Sequence, residues 1–168
     1  GMDNINMDFI VGLPGKNAQM VKYSMEEALK LNPDGITVHS LALKRASRLN
    51  VEKDRYSDMT MENSSRLMKI TEEYAGKMEM VPYYMYRQKN MVGNQENVGY
   101  SKVGKEGIYN ILMMGDYQNV WAAGAGAVTK LLSKDRKEGK RIDTLKNVDL
   151  YIDRIDEMIE RKKVVKLD

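Results

Sequence analysis

Residues 4–16, Asn-Ile-Asn-Met-Asp-Phe-Ile-Val-Gly-Leu-Pro-Gly-Lys, constrain the chain more than any other stretch. Ile5–Val11 is short, apolar and nearly continuous, which suits a strand covered on both faces. Gly12-Leu13-Pro14-Gly15 ends it in a turn. Asn17 then stands where a helix N-cap belongs. Val21, Met25, Ala28 and Leu29 follow at i, i+4, i+7 and i+8, on one helical face. Asn32-Pro33-Asp34-Gly35 stops that helix, and Ile36–Leu43 reads as the next strand. Strand, helix, strand predicts a right-handed parallel crossover. This is the middle of an α/β repeat without its start, so the chain is expected to be part of a larger enzyme. Gly1-Met2 reads as a tag remnant ahead of a start Met.

Residues 44–58 are polar and irregular. Ser57, Asp58 or Thr60 is placed to cap a helix through about Met78, in which Leu67, Ile70, Tyr74 and Met78 keep helical spacing. A strand over Glu79–Tyr86 is expected next. Arg87–Lys105, rich in Asn, Gln, Gly and Lys, reads as a long functional or mobile loop. Ile108–Tyr117 and Asn119–Ala127 read as two strands joined at Gly115-Asp116, with Gly124 and Gly126 marking a bulge or close backbone approach. Asn147 is placed to cap a last helix, with Val148, Tyr151, Ile152, Ile155 and Ile159 on one face.

A chain of 168 residues fits one domain, or one with a small appendage. The net charge of +3 is too small to argue for nucleic acid. The basic concentration Lys134–Arg141 reads as a solvated loop. No apolar run approaches the ~20 residues of a membrane span, and no signal peptide is visible. With no cysteine there is neither a disulfide nor a thiolate metal site, and the single His39 cannot build a metal site alone. Fourteen methionines against one Phe point to cores filled by flexible side chains.

Four features invite a functional reading. Gly12–Asn17 resembles a phosphate loop, but that motif needs a Gly at position 10 and Ser or Thr at position 17, where Ile10 and Asn17 stand. A tight strand-to-helix turn is the better reading. Asp8 is an acid inside an apolar strand, where a buried carboxylate must be paired or hydrogen-bonded. It either meets a backbone amide or an Arg, or points at a ligand from the carboxyl half of a barrel strand. Pro82-Tyr83-Tyr84-Met85-Tyr86-Arg87-Gln88-Lys89-Asn90 is either an edge strand with a solvated end or a surface for a flat anionic ligand, and its polar density favours the second. Gly124-Ala125-Gly126-Ala127 suits tight packing slightly better than close approach by a ligand.

Together these residues resemble a known family. Asn6–Gly15 is similar to the "DLIxGLPG" strand and turn of the oxygen-independent coproporphyrinogen III oxidases, radical S-adenosylmethionine (SAM) enzymes of haem synthesis. Val38–Ser47 resembles the family's next strand. Pro82–Asn90 with Gln95–Tyr100 resembles the "PYYLYRQK" and "ENVGY" runs of the coproporphyrinogen dehydrogenase branch, and Ala123–Ala127 the downstream "GxGAG" segment. The similarity runs from about Asn4 to Lys162.

The resemblance implies an α/β fold: the C-terminal portion of a partial TIM-like (radical SAM) barrel with an additional α+β C-terminal region. It places the last βα units of the barrel at residues 1–80 and the family-specific region at 81–168. It implies S-adenosylmethionine and a [4Fe–4S] cluster as cofactors of the intact protein, coproporphyrinogen III as substrate, and the cytoplasm as location. The family's three-cysteine motif is missing, so the chain alone is expected to be inactive. An uncovered barrel edge would invite a homodimer. Asp8, Ile10, Leu41 and Ala42 match the family's SAM-binding strand positions, with Asp8 accepting from a ribose hydroxyl or the amino group. Tyr86, Arg87 and Lys89 are assigned to the substrate propionates on charge and position. Two rivals remain: a related radical SAM protein for haem handling or methyl transfer, and an α/β binding module that never had a cluster.

Overall fold

The computed structural model describes residues 1–43, 47–59, 65–87, 95–133, 135 and 139–163. They form two compact units, Gly1–Ile108 and Tyr109–Asp168.

The first unit begins with β1 (Asn6–Val11), α1 (Ala18–Leu31) and β2 (Gly35–Ser40). β1 and β2 are parallel neighbours in continuous register, from Asn6 opposite Gly35 to Val11 opposite Ser40, as the crossover predicts. Gly12 and Gly15 both take positive φ in the turn after β1, a conformation that side chains resist. Asn17 caps α1, its Oδ1 accepting from the Met20 amide at 3.0 Å. Short α2 (Arg48–Val51) and a 3₁₀ turn (Lys53–Tyr56) occupy part of the stretch read as irregular. Ser57 closes that turn instead of opening a helix, its Oγ donating to the Asp54 carbonyl at 2.8 Å. Thr60, the third candidate cap, lies outside the described residues.

α3 (Ser65–Lys77) leads to β3 (Val81–Tyr86) and β4 (Asn97–Ser101), which complete a sheet ordered β1-β2-β4-β3. β4 is antiparallel to both its neighbours. The expected boundary at residue 80 falls between α3 and β3, inside this unit. The loop expected over Arg87–Lys105 is corrected by β4, where Asn, Gly and Ser hid a strand whose only apolar residues are Val98 and Tyr100. Residues 88–94 lie outside the described set. Met25 of α1, Leu67 and Tyr74 of α3, and Met78 just after α3 bury against Val11, Ile36 and Val38 of the sheet.

One expectation for β1 fails. Met7, Phe9 and Val11 face the core, but Asn6, Asp8 and Ile10 are exposed. The strand is covered on one face only, and the alternation its apolar run concealed becomes visible only when the register is known. β2, by contrast, is buried almost throughout.

The second unit differs more from its sequence reading. Ile108–Met114 is a helix, α4, and not a strand. Its Ile108, Ile111 and Leu112 satisfy helical spacing, and short apolar runs do not decide between periods. Only Val120 of the expected Asn119–Ala127 strand pairs, with Lys130. The hairpin is instead β5 (Val128–Leu132) with β6 (Gly139–Asp143), so the start of β6 lies in the basic run read as a loop. Thr129 and Leu131 alternate inward against Ile142, enough to fix a register in an otherwise polar pair. Gly124 and Gly126 take positive φ in a turn before β5. Asn147 caps α5 (Val148–Asp153) as expected, accepting from the Leu150 amide at 2.9 Å. The helix then breaks at Arg154, and α6 (Ile155–Lys163) follows. Of the expected core face, Tyr151 is half-buried and accepts from the Gly124 amide at 3.2 Å, whereas Val148, Ile152, Ile155 and Ile159 are exposed; Met158, off that face, is buried instead.

Candidate functional site

The open face of the first sheet carries most of its polar side chains. Asn6 and Asp8 of β1, Thr37 and His39 of β2, and Tyr84 and Tyr86 of β3 meet across it. Asn6 donates from Nδ2 to Asp8 Oδ1 at 2.8 Å and to Thr37 Oγ1 at 3.1 Å. Thr37 Oγ1 is 3.3 Å from the Tyr84 hydroxyl, and the Tyr86 hydroxyl is 3.3 Å from His39 Nδ1. His39 Nε2 lies 3.7 Å from Asp8 Oδ2.

Gly99 makes this reach possible. It stands opposite Tyr84 in the β3–β4 pair, and the ring lies so close that a Cβ at 99 would be 1.9 Å from Cε1. The tyrosines therefore lie flat over β4 and touch β2 beyond it. Tyr84 and Tyr86 stack with centroids 6.3 Å apart and an interplanar angle of 6°. Burial pushes the Tyr84 phenol above its usual range, while its hydrogen bond with Thr37 pulls the other way.

At the carboxyl ends of β1 and β2 lies an open cavity of about 400 Å³. Asp8 and Ile10 enter it from β1, and His39, Leu41 and Ala42 from β2 and the segment after it. Leu41 extends the parallel ladder, its amide donating to the Val11 carbonyl at 3.0 Å. Asn97, 1% exposed, backs the cavity, and its Oδ1 accepts from the Ser40 amide at 2.8 Å. That bond closes the end of β2 where the ladder to β4 has stopped.

Asp8, Ile10, Leu41 and Ala42 thus line one cavity. Asp8 is not the buried acid its strand suggested: its side chain is 65% exposed. Tyr86 joins the cavity's margin through His39. Arg87 instead pairs with Glu96 at 2.9 Å across the β3–β4 hairpin, and Lys89 lies outside the described residues. Sequence reasoning missed His39 and Asn97 as site residues. The signal for His39 was its place two residues after Thr37 on the same strand face. A larger hollow of about 560 Å³ runs along α1 between Leu13, Met20 and Tyr23, reaching Ile10, with Lys16 and Tyr23 as the titratable residues of its lining. Among the described residues no three His, Cys, Asp or Glu side chains converge as a metal site.

No protein-family model matches the chain. Over 162 residues, 96% of its length, it is 40% identical to the oxygen-independent coproporphyrinogen-III oxidase-like protein HemZ of Bacillus subtilis (strain 168). The chain is homologous to this oxidase-like protein. It spans 32% of that relative's length. Among solved structures it matches coproporphyrinogen III oxidase (HemN) from Escherichia coli, a radical SAM enzyme, with a TM-score of 0.59. That match covers 94% of this chain and 35% of the other at 13% identity, a likeness of fold. The mixed α/β architecture therefore resembles in fold a part of that solved structure.

Proposed function

We propose that this chain is part of an oxygen-independent coproporphyrinogen III dehydrogenase, a cytoplasmic radical SAM enzyme of haem synthesis, and that its open strand ends form one wall of the cofactor site. The convergence of Asp8, Ile10, Leu41 and Ala42 on a single cavity carries this reading. Carboxyl strand ends are where barrel enzymes place their chemistry. The kinship to HemZ supports it over nearly the whole chain.

The cavity's residues fit an adenosine. Ile10, 53% exposed, offers an apolar surface to the base or ribose. Asp8 offers an exposed carboxylate already oriented by Asn6, able to accept from a hydroxyl or an ammonium group. Ala42 acts through its backbone. SAM held by Asp8, Ile10, Leu41 and Ala42 would supply one-electron hydrogen-abstraction chemistry toward a substrate propionate. The [4Fe–4S] cluster does not fit this chain, which has no cysteine, so no step is routed through it. Tyr86, Arg87 and Lys89 are proposed as partners of the propionates. The exposed Arg87–Glu96 pair is worth about 0–1 kcal/mol, so a propionate can displace Glu96. On this reading the chain alone is inactive.

The intact protein encoded by the gene, assayed without oxygen in the presence of SAM and a reductant, is expected to release CO₂ from coproporphyrinogen III. Asp8→Ala should raise KM for SAM about tenfold or more, the loss of a charge-assisted hydrogen bond. Absence of CO₂ release, or an unchanged KM, would overturn the proposal.

A further inference from the structure

We propose that His39 is a positioning residue whose neutral ring carries its proton on Nε2 and stands between the Asp8 carboxylate and the Tyr86 phenol. The inference rests on reading Asp8 and Tyr86 as ligand-facing groups. A neutral imidazole has one donor and one acceptor nitrogen. With the proton on Nε2, the N–H faces Asp8 Oδ2 at 3.7 Å. Nδ1 is then free to accept from the Tyr86 hydroxyl at 3.3 Å. The other tautomer would turn a nitrogen lone pair toward a carboxylate, which is repulsive.

The rest of the layer agrees with this arrangement. Asn6 donates to the other carboxylate oxygen, Oδ1, at 2.8 Å, leaving Oδ2 to face the ring. Thr37 is engaged with Tyr84 at 3.3 Å and with Asn6 at 3.1 Å, and Asn97 with the Ser40 amide at 2.8 Å. The ring stands between β1 and the β3 tyrosines and is itself mostly covered, its side chain 29% exposed. His39 therefore acts with Asn6, its N–H facing Oδ2 across 3.7 Å while Asn6 holds Oδ1 at 2.8 Å, to bias where the carboxylate points before any ligand arrives. It also places the proposed cofactor side and the proposed substrate side of the site in one polar chain: Asp8, His39, Tyr86.

The single histidine makes the test direct, because the chain gives one imidazole signal pair. Long-range ¹H–¹⁵N spectra of the chain, recorded where the ring is neutral, should show a protonated Nε2 and a hydrogen-bonded Nδ1. Tyr86→Phe should move the Nδ1 resonance toward that of an unbonded nitrogen and leave Nε2 protonated. Asp8→Asn should mix the tautomers. A ring protonated on Nδ1, or one that responds to neither substitution, overturns the inference.

Calorimetry with S-adenosylhomocysteine separates it from the reading beneath it. His39→Leu is expected to weaken binding about tenfold, and His39→Gln, which keeps an N–H near Asp8, to restore it within about twofold. If Asp8→Ala abolishes binding and His39→Leu does not weaken it, the inference falls and the cofactor wall stands. If the parent chain does not bind while the imidazole responses are as expected, the cofactor wall falls and the positioning role stands.

Discussion

A Cβ at position 99 would stand 1.9 Å from Cε1 and 2.6 Å from Cζ of Tyr84. The ring cannot stay over β4 if that atom is added. Gly99→Ala is therefore expected to swing Tyr84 off Thr37 and out of its stack with Tyr86, costing about 1–3 kcal/mol as overpacking does. The urea midpoint should fall with no change in slope. In a Tyr84→Leu background the penalty should shrink, because the two residues share the contact. An unchanged midpoint for Gly99→Ala would contradict the described packing. The individual site residues were only partly legible. Asp8 drew attention as an acid among apolar residues, yet which face it took depended on a register that one strand does not reveal. His39 and Tyr86 are separated by 47 positions and meet only because β4 lies between their strands. No local pattern encodes such a contact.

At the scale of elements, α3 shows how a helix ends without its best residue. The Met80 amide donates to the Ala75 carbonyl and the Glu79 amide to the Gly76 carbonyl, both at 3.0 Å. This is a Schellman closure with Glu79 at the left-handed position, φ 59°. Glu79 is exposed, so its side chain has little to lose. Glu79→Gly should stabilise the chain by about 0.5–1 kcal/mol by relieving that conformation, read as a higher urea midpoint. A lower midpoint would mean that the strain is absent. Elements with strong periodicity and punctuation were legible: α1 between Asn17 and Asn32, the parallel β1–β2 pair, and the apolar stripe of α3. The hairpin of β5 and β6 was not, because its inward positions are few and one strand runs through charged residues. α5 and α6 share a sequence pattern of one continuous helix, and only the break at Arg154 decides which side chains are buried.

For the whole molecule, the α/β class followed from the strand–turn–helix–strand order, and the resemblance to the coproporphyrinogen oxidases from motifs spread from Asn6 to Ala127. Kinship at 40% identity over 96% of the chain agrees with those motifs. The chain spans about a third of the length of the relatives it matches, so the activity of the whole remains a proposal resting on the cavity at the strand ends. No helix among the described residues is long and apolar enough to cross a membrane. The most direct test is a titration of the isotopically labelled chain with S-adenosylhomocysteine, followed amide by amide. Shifts are expected to cluster at Asp8, Ile10, Leu41 and Ala42, with a weaker response at His39, and to vanish in Asp8→Ala. Shifts centred instead on Leu13, Met20 and Tyr23 along α1, or none at millimolar ligand, would contradict the account.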